Sequence, residues 1–375
     1  RMKRALIACG GTGGHLAPGI ALAEELVSRG WSCELLISKK QVDAQLVKKY
    51  GQFEYDSIPG CAMSFSPVRF SKFLRDLFSG VRICIRKIRK TQPDAVIGFG
   101  GFSSASALLA GIFTKIPVAI HEANRVPGRV TRLLSRFANR VYLPTDVYLK
   151  SVRSGRTFNV GMPIRTEIEK MAKDEAKRLL GFDPNRKLLL VFGGSQGARS
   201  LNEWMAASME PLALDSVQML CLTGNREDEA EERMYPAKAG EPVRSLILGF
   251  SDQMALLLSA AALAVSRSGA GSIAEIARCR TPSVFIPYPY AADDHQFYNA
   301  KRVADAGGGL LLNHESMDEL FELVRITISD DDGLREFESC LEAIDGIDAK
   351  SIIADDIEMS LVSSKSASRT EVGAR

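Results

Sequence analysis

The feature that most constrains this chain is one arrangement used twice. The apolar run Ala5–Cys9 ends in Gly10-Gly11-Thr12-Gly13-Gly14 and leads into Ile20–Leu26, which has helical spacing. The run Lys187–Phe192 ends in Gly193-Gly194-Ser195-Gln196-Gly197 and again leads into a helix, from Leu201 onward. A short strand that turns through glycines into a helix is the opening of a doubly wound α/β unit. Its presence at the head of each half predicts two of them. Further short apolar runs follow at Glu34–Ser38, Ala95–Gly98, Pro117–His121 and Arg140–Leu143. The second half adds Gln218–Leu222, Ser245–Phe250, Leu263–Ser266, Ser283–Pro287 and Gly309–Leu312. Unbroken apolar strands alternating with helices indicate parallel sheets covered on both faces. A length of 375 residues suits two domains.

The boundary is expected at Gly161-Met162-Pro163, because Pro163 interrupts regular structure. A helix over Thr166–Leu180, with Glu167, Lys170, Lys173 and Lys177 outward, should open the second half. After one more helical stretch to about Leu361, the polar tail 363–375 is expected to be disordered.

Composition narrows the function classes. With 46% apolar and 25% charged residues, collagen, coiled coil and wholesale disorder are excluded. The best candidate span, Met254 to Val265, is too short for a membrane crossing. No signal-peptide pattern precedes the first strand, so a cytosolic chain is expected. Seven cysteines stand singly with no Cys-x-x-Cys pair, which argues for reduced thiols and against a disulfide framework or a zinc site. Net charge is only +3, yet Ser66 to Pro93 holds eight basic residues and one acid, Asp76. An anionic partner should meet the protein there.

Glycine turns at strand ends let backbone N–H groups and a helix N-terminus approach a phosphate. Neither turn is a dinucleotide fingerprint, since Leu16 occupies the third glycine position after Gly11-Thr12-Gly13. Gly14-x₄-Gly19 has P-loop spacing but continues Ile20-Ala21 where Lys-Ser/Thr is required. NAD chemistry and ATP hydrolysis lose ground, while a phosphorylated ligand gains it. Of four histidines, His15 follows the first glycine turn, His121 closes a strand and His295 sits in Asp293-Asp294-His295-Gln296. A helix N-terminus would hold His15 toward the neutral form, which suits a base. His121 reads as a packed histidine. In Ser266-Arg267-Ser268-Gly269-Ala270-Gly271-Ser272-Ile273-Ala274-Glu275 a strand ends, turns and starts a helix whose Glu275 could accept both hydroxyls of a ribose. Asp330-Asp331-Asp332 has the spacing of a metal-dependent sugar transferase but lies away from any strand end, so a solvated loop is expected and no metal.

These motifs occur in one order: Gly10–His15, Gly98–Phe102, His121–Asn124, Gly161–Arg165, Gly193–Ala198, Ser266–Ala270, Glu275, and Asp294–Gln296 with Asn299-Ala300. In that order the chain resembles the MurG family of bacterial cell-wall N-acetylglucosaminyltransferases, from Lys3 to about Leu361. The resemblance implies a GT-B fold, two doubly wound Rossmann-like domains with the active site in the interdomain cleft. Residues 2–163 would form the acceptor- and membrane-facing domain, joined by a C-terminal helix at about 343–362. Residues 164–342 would bind UDP-GlcNAc. It implies inverting transfer of N-acetylglucosamine to the muramoyl 4-hydroxyl of undecaprenyl-linked lipid I, giving lipid II for peptidoglycan. No cofactor or nucleic acid is implied.

Matched by motif, Ser195 would bind the diphosphate with Arg165 nearby, and Ser251, beside Phe250, would meet the uracil edge. Ala270, Gly271, Ser272, Ile273 and Ala274 would line the nucleotide, Glu275 would hold the ribose and Gln296 would reach the sugar. Asn124, Thr12, Gly13 and Gly14 would face the sugar and the acceptor. His15 is the candidate base, with binding of the acceptor diphosphate as its rival role and Glu122 as the alternative base. Phe70, Phe73, Leu74, Leu77 and Phe78 with Arg82, Arg86, Lys87 and Lys90 are expected to dock on the anionic inner leaflet, placing the protein peripherally on the cytoplasmic face of the membrane. Met162 and His295 depart from commoner family residues. UDP-GlcNAc 2-epimerases share this architecture, but they need acids aimed at the sugar and only Glu122 is an evident one. A non-catalytic nucleotide-sugar scaffold would not need both glycine turns and His15.

Overall fold

The structure is a computed structural model describing residues 2–10, 13–39, 49–59, 67–153, 155–194, 198–225 and 227–372. It divides into two units, one of residues 1–166 with 347–375 and the other of 167–346. The division therefore falls three residues beyond Pro163, and it puts Arg165 in the first unit rather than the second.

The first unit is a seven-stranded parallel sheet in the order β3-β2-β1-β4-β5-β6-β7. Its strands are β1 Arg4–Ala8, β2 Ser32–Ser38, β3 Glu54–Ile58, β4 Ala95–Gly98, β5 Val118–His121, β6 Arg140–Leu143 and β7 Thr157–Asn159. Central strands β4 and β5 are buried at every position, as their continuous apolar sequence requires. Helix α1 (Gly13–Ser28) covers one face through Leu16, Ile20, Leu22 and Leu26. Helices α2 (Pro67–Thr91) and α3 (Gly101–Phe113) cover the other through Val81, Cys84, Ile88, Ala107 and Leu108. A short helix α4 (Arg129–Leu134) follows β5.

The second unit repeats the plan, with strand order β10-β11-β9-β8-β12-β13-β14. Its strands are β8 Leu188–Phe192, β9 Gln218–Leu222, β10 Glu231–Tyr235, β11 Val243–Leu248, β12 Leu263–Ser266, β13 Ser283–Phe285 and β14 Leu310–Leu311. Among the described residues only the β10–β11 pair is antiparallel. Its helices are α5 Lys173–Leu179, α6 Arg199–Leu214, α7 Met254–Ala260, α8 Ala270–Cys279, α9 His295–Asp305, α10 Leu320–Ser329 and α11 Asp331–Ile344.

The last helix, α12 (Ala349–Val372), belongs to the first unit. Ile353, Ala354 and Ile357 join the α1 side of its core. Buried Asp356 accepts from Arg140 Nε at 2.9 Å and from the Tyr142 hydroxyl at 2.7 Å, while Glu358 accepts from Trp31 Nε1 at 2.9 Å. Hydrogen bonds to a charged acceptor contribute about 1.5–3 kcal/mol each, so these pin the helix beyond its apolar contacts.

Three expectations need correcting. The helix expected over Thr166–Leu180 begins only at Lys173. Tertiary bonds claim the segment before it: Thr166 N–H donates to Glu24 at 2.9 Å, Ile168 is buried, and Met171 N–H donates to Ser259 Oγ at 3.0 Å. Lys177 points inward, its ammonium donating to the carbonyls of Pro184 and Arg186. The tail is not loose chain as far as Val372 but continues α12, since no glycine or proline interrupts it before Gly373. The aspartate triplet is no loop either. Asp330 caps α11 by accepting the Gly333 N–H at 3.0 Å, and Asp331 pairs with Lys187. Among the described residues no helix is long and apolar enough to cross a membrane.

Candidate active site

In the first sheet, strand order runs outward from β1 in one direction and from β4 in the other. The helices that follow them, α1 and α3, lie on opposite faces. Ligands bind at such a switch point, beyond the carboxyl ends of the strands. His15, half-buried in the first turn of α1, stands there. Its ring lies against the backbone of Gly100 and Gly101, where a Cβ would come within 3.5 Å and 3.3 Å of it. Both glycines have positive φ, 81° and 69°. They supply at once the turn into α3 and the space for the imidazole. Two positive helix ends, of α1 and α3, therefore converge on one ring. Gly13 opens α1 and Gly14 is exposed, whereas Thr12 lies outside the described residues.

Behind His15, at the end of β5, sits His121, fully buried against Phe99 with ring centroids 5.2 Å apart. His121 Nε2 is 2.8 Å from the Gly161 carbonyl, so the ring donates there as a neutral tautomer. Burial lowers its pKa to about 4, with the nearby His15 adding to the effect. Glu122 is 3% exposed and its carboxylate is fully engaged. One oxygen accepts Asn124 N–H at 3.0 Å and Asn124 Nδ2 at 3.4 Å. The other accepts Gly128 N–H at 2.8 Å and Thr131 Oγ at 2.7 Å. That geometry makes Glu122 the organiser of the loop from β5 to α4, and it holds half-buried Asn124 in place. Arg165 is buried, with its guanidinium donating to the Tyr50 hydroxyl at 2.9 Å.

The second sheet reverses between β8 and β12. Ser195, which follows β8 in sequence, lies outside the described residues. After β12, Gly269 adopts extended geometry and α8 begins, so Ala270, Gly271, Ser272, Ile273, Ala274 and Glu275 form its first turns, all half-buried. A helix start next to a glycine turn attracts anions. Ser251 Oγ, beyond β11, accepts the Gln253 N–H at 3.1 Å, fixing the turn after Phe250. Gln296, on the first turn of α9, accepts the Tyr288 N–H at 3.0 Å through Oε1.

Sequence reasoning passed over Arg267, although it stood in a quoted motif between strand end and turn. It is 7% exposed and donates to the carbonyls of Ile286 at 3.1 Å and Pro287 at 2.9 Å, and to Ser200 Oγ at 3.0 Å on α6. No carboxylate pairs with it among the described residues, Nε has no partner there, and burial lowers its pKa. A desolvated cation held by neutral carbonyls is costly on its own. Placed across the switch point, it offers charge to an anionic ligand.

The basic segment is helix α2, but its apolar stripe is the inward face. Leu77 and Ile85 pack on the core, and Phe73 meets Phe102 edge-on at 5.5 Å. Lys87 is bound to Glu34 and Asp56. Phe73, Leu77 and Lys87 leave the expected docking patch because one side of a sheet-covering helix must be core. Leu74, Phe78, Arg82, Arg86 and Lys90 remain outward, with Arg82 over the Phe78 ring at 5.6 Å. The Phe70 side chain lies outside the described residues. Exposed Phe113, Leu133 and Phe137 stand on neighbouring segments of the same unit.

Comparison with known proteins agrees with this architecture. Residues 5–143 match the glycosyltransferase family 28 N-terminal domain, and residues 188–341 its C-terminal domain. A protein of Opitutus terrae, named UDP-N-acetylglucosamine--N-acetylmuramyl-(pentapeptide) pyrophosphoryl-undecaprenol N-acetylglucosamine transferase, is 45% identical over 95% of both chains. The crystal structure of Acinetobacter baumannii MurG is similar at a TM-score of 0.69 and 25% identity, over 95% of this chain and 99% of that one. A kitacinnamycin glycosyltransferase structure, 18% identical over 96% and 99% of the two chains, shares the fold at a TM-score of 0.69. Two Rossmann-like parallel sheets with these matches make the fold GT-B. Since both of its halves match and its relatives align along nearly their whole length, the chain belongs to glycosyltransferase family 28 and, within it, to the MurG family.

Proposed function

We propose that the chain transfers N-acetylglucosamine from UDP-GlcNAc to the muramoyl 4-hydroxyl of lipid I, forming lipid II with inversion at the sugar carbon. The observation that carries this reading is the end-to-end match with the Opitutus terrae transferase, 45% identical over 95% of both chains. The test is incubation of labelled UDP-GlcNAc with and without a lipid I analogue. Label should pass to the lipid only when the acceptor is present. Formation of UDP-ManNAc from the donor alone would instead make the chain an epimerase.

In this reading the second unit holds the donor. The start of α8 and the turn before α6 receive the diphosphate, and Arg267 adds the charge that stabilises UDP as it leaves. Glu275 accepts the ribose hydroxyls, Ser251 and its turn meet the uracil, and Gln296 meets the sugar. Two charge-assisted hydrogen bonds contribute roughly 1.5–3 kcal/mol each. Glu275→Ala should therefore raise the KM for UDP-GlcNAc by roughly two orders of magnitude or more and weaken UDP inhibition in parallel. A fall in kcat with normal UDP binding would move Glu275 to the reacting end. The first unit receives the acceptor, with His15 as base and Asn124 beside it.

The outward face of α2 meets the anionic inner leaflet, which makes the protein peripheral on the cytoplasmic face. Each basic side chain near such a surface is worth about 1 kcal/mol. Replacing Arg82, Arg86 and Lys90 by Glu should cut co-sedimentation with anionic vesicles at least tenfold while sparing activity on a soluble acceptor. Unchanged vesicle binding would remove α2 from the docking surface.

A further inference from the structure

The segment between β13 and α9 presents two exposed tyrosines, Tyr288 and Tyr290, and a third, Tyr298, stands in the first turns of α9. Tyr288 and Tyr290 meet edge-to-face with centroids 5.7 Å apart, and Tyr290 is 83% exposed. The loop that carries this pair is heavily braced. Arg267 donates to the carbonyls at its start and lies 5.7 Å from the centre of the Tyr288 ring. Tyr288 N–H donates to Gln296 Oε1, Ser268 Oγ donates to the Gln296 carbonyl at 2.8 Å, and Asn299 Nδ2 donates to the Ser268 carbonyl at 3.3 Å. The loop is thereby fastened to the turn that starts α8. It also contains two consecutive left-handed non-glycine residues, Asp293 with φ 52° and Asp294 with φ 51°. Strain of this kind persists only where surrounding structure over-determines it, and it gathers at ligand sites.

The tyrosine pair is therefore held as a corner beside Gln296, whose amide oxygen accepts the Tyr288 N–H. A pyranose carrying an acetamido group offers such a corner an apolar C–H face and a methyl. Tyrosine suits it, having a flat apolar body, a polar tip and few rotamers to freeze. We propose that Tyr288 and Tyr290 pack against the N-acetylhexosamine of the donor and set its preference for an acetamido sugar over a plain hexose. The proposal rests on the donor reading of the second unit given above.

The experiment is calorimetric titration of the full chain with UDP, UDP-GlcNAc and UDP-glucose, for wild type, Tyr290→Ala and Tyr290→Phe. Tyr290 is a surface side chain, so the alanine variant should fold. It should bind UDP as wild type does, bind UDP-GlcNAc roughly 2- to 12-fold more weakly, and lose most of its discrimination against UDP-glucose. The phenylalanine variant should behave as wild type. Equal weakening of UDP and UDP-GlcNAc, or no change in either, would overturn the proposal. If the wild-type chain bound no UDP, the donor reading itself would fall, a result separate from any of these.

Discussion

His15→Ala should lower kcat by about 10²–10⁴ while leaving UDP-GlcNAc affinity unchanged. In an inverting transfer one group must take the proton of the acceptor hydroxyl as the sugar carbon becomes oxocarbenium-like. A neutral imidazole suits that task. His15 stands at the switch point of the first sheet, in a pocket of space that Gly100 and Gly101 leave for its ring. Buried His121 is a poor competitor, because its Nε2 is committed to the Gly161 carbonyl. The acidic limb of the pH–rate profile, where an imidazole base takes up a proton, should disappear in the variant. If kcat stayed near normal and only the acceptor KM rose, His15 would instead be a ligand for the acceptor diphosphate. Gly101→Ala offers a second view of the same geometry. It would put a methyl 3.3 Å from the ring at a backbone with φ 69°, so it should impair turnover while leaving the second unit's binding of UDP intact.

Where the sequence could be read and where it could not has a physical pattern. Strands β4, β6, β9 and β12 begin and end where the apolar runs do, because strands covered on both faces have no reason to carry polar residues. Edge strands β3 (Glu54–Ile58) and β10 (Glu231–Tyr235) escaped notice for the opposite reason. Their positions are mostly exposed, their sequences are charged, and pairing to a single neighbour leaves little hydrophobic trace. Periodicity found α2 but could not say which stripe faced the sheet. Only the packing of Leu77 and Ile85 and the ion pairs of Lys87 decide that. Motif spacing located the turns at both switch points and offered Glu122 as an alternative base, yet it showed neither the donors around that carboxylate nor the part of Arg267. Hydrogen-bond partners distinguish those roles, and they come from residues distant in sequence or several positions on. Ile286, Pro287 and Ser200 cannot be inferred as partners of Arg267 from its local context.

Glu122→Gln should behave as a folding defect rather than the loss of a base. Each carboxylate oxygen accepts two donors, and two of the four are backbone N–H groups fixed by the loop. Glutamine keeps the shape but turns one acceptor into an NH₂ group. That group must face either the Asn124 amides or the Gly128 N–H and the Thr131 hydroxyl. Thr131 can rotate to accept, but a backbone N–H cannot. At least one buried donor is left unpaired and the remaining bonds lose their charge assistance, for a total of about 3–5 kcal/mol. In a unit of this size that corresponds to a melting transition roughly 10 °C lower. The loop that carries Asn124 should loosen with it, so acceptor KM should rise before kcat falls. UDP should still bind, because the second unit has its own core and its own contacts. The measurement is a thermal melt beside steady-state kinetics on the same preparation. A variant that melted like wild type but lost turnover would show that the carboxylate takes the proton after all, and the base would have to be moved from His15 to Glu122.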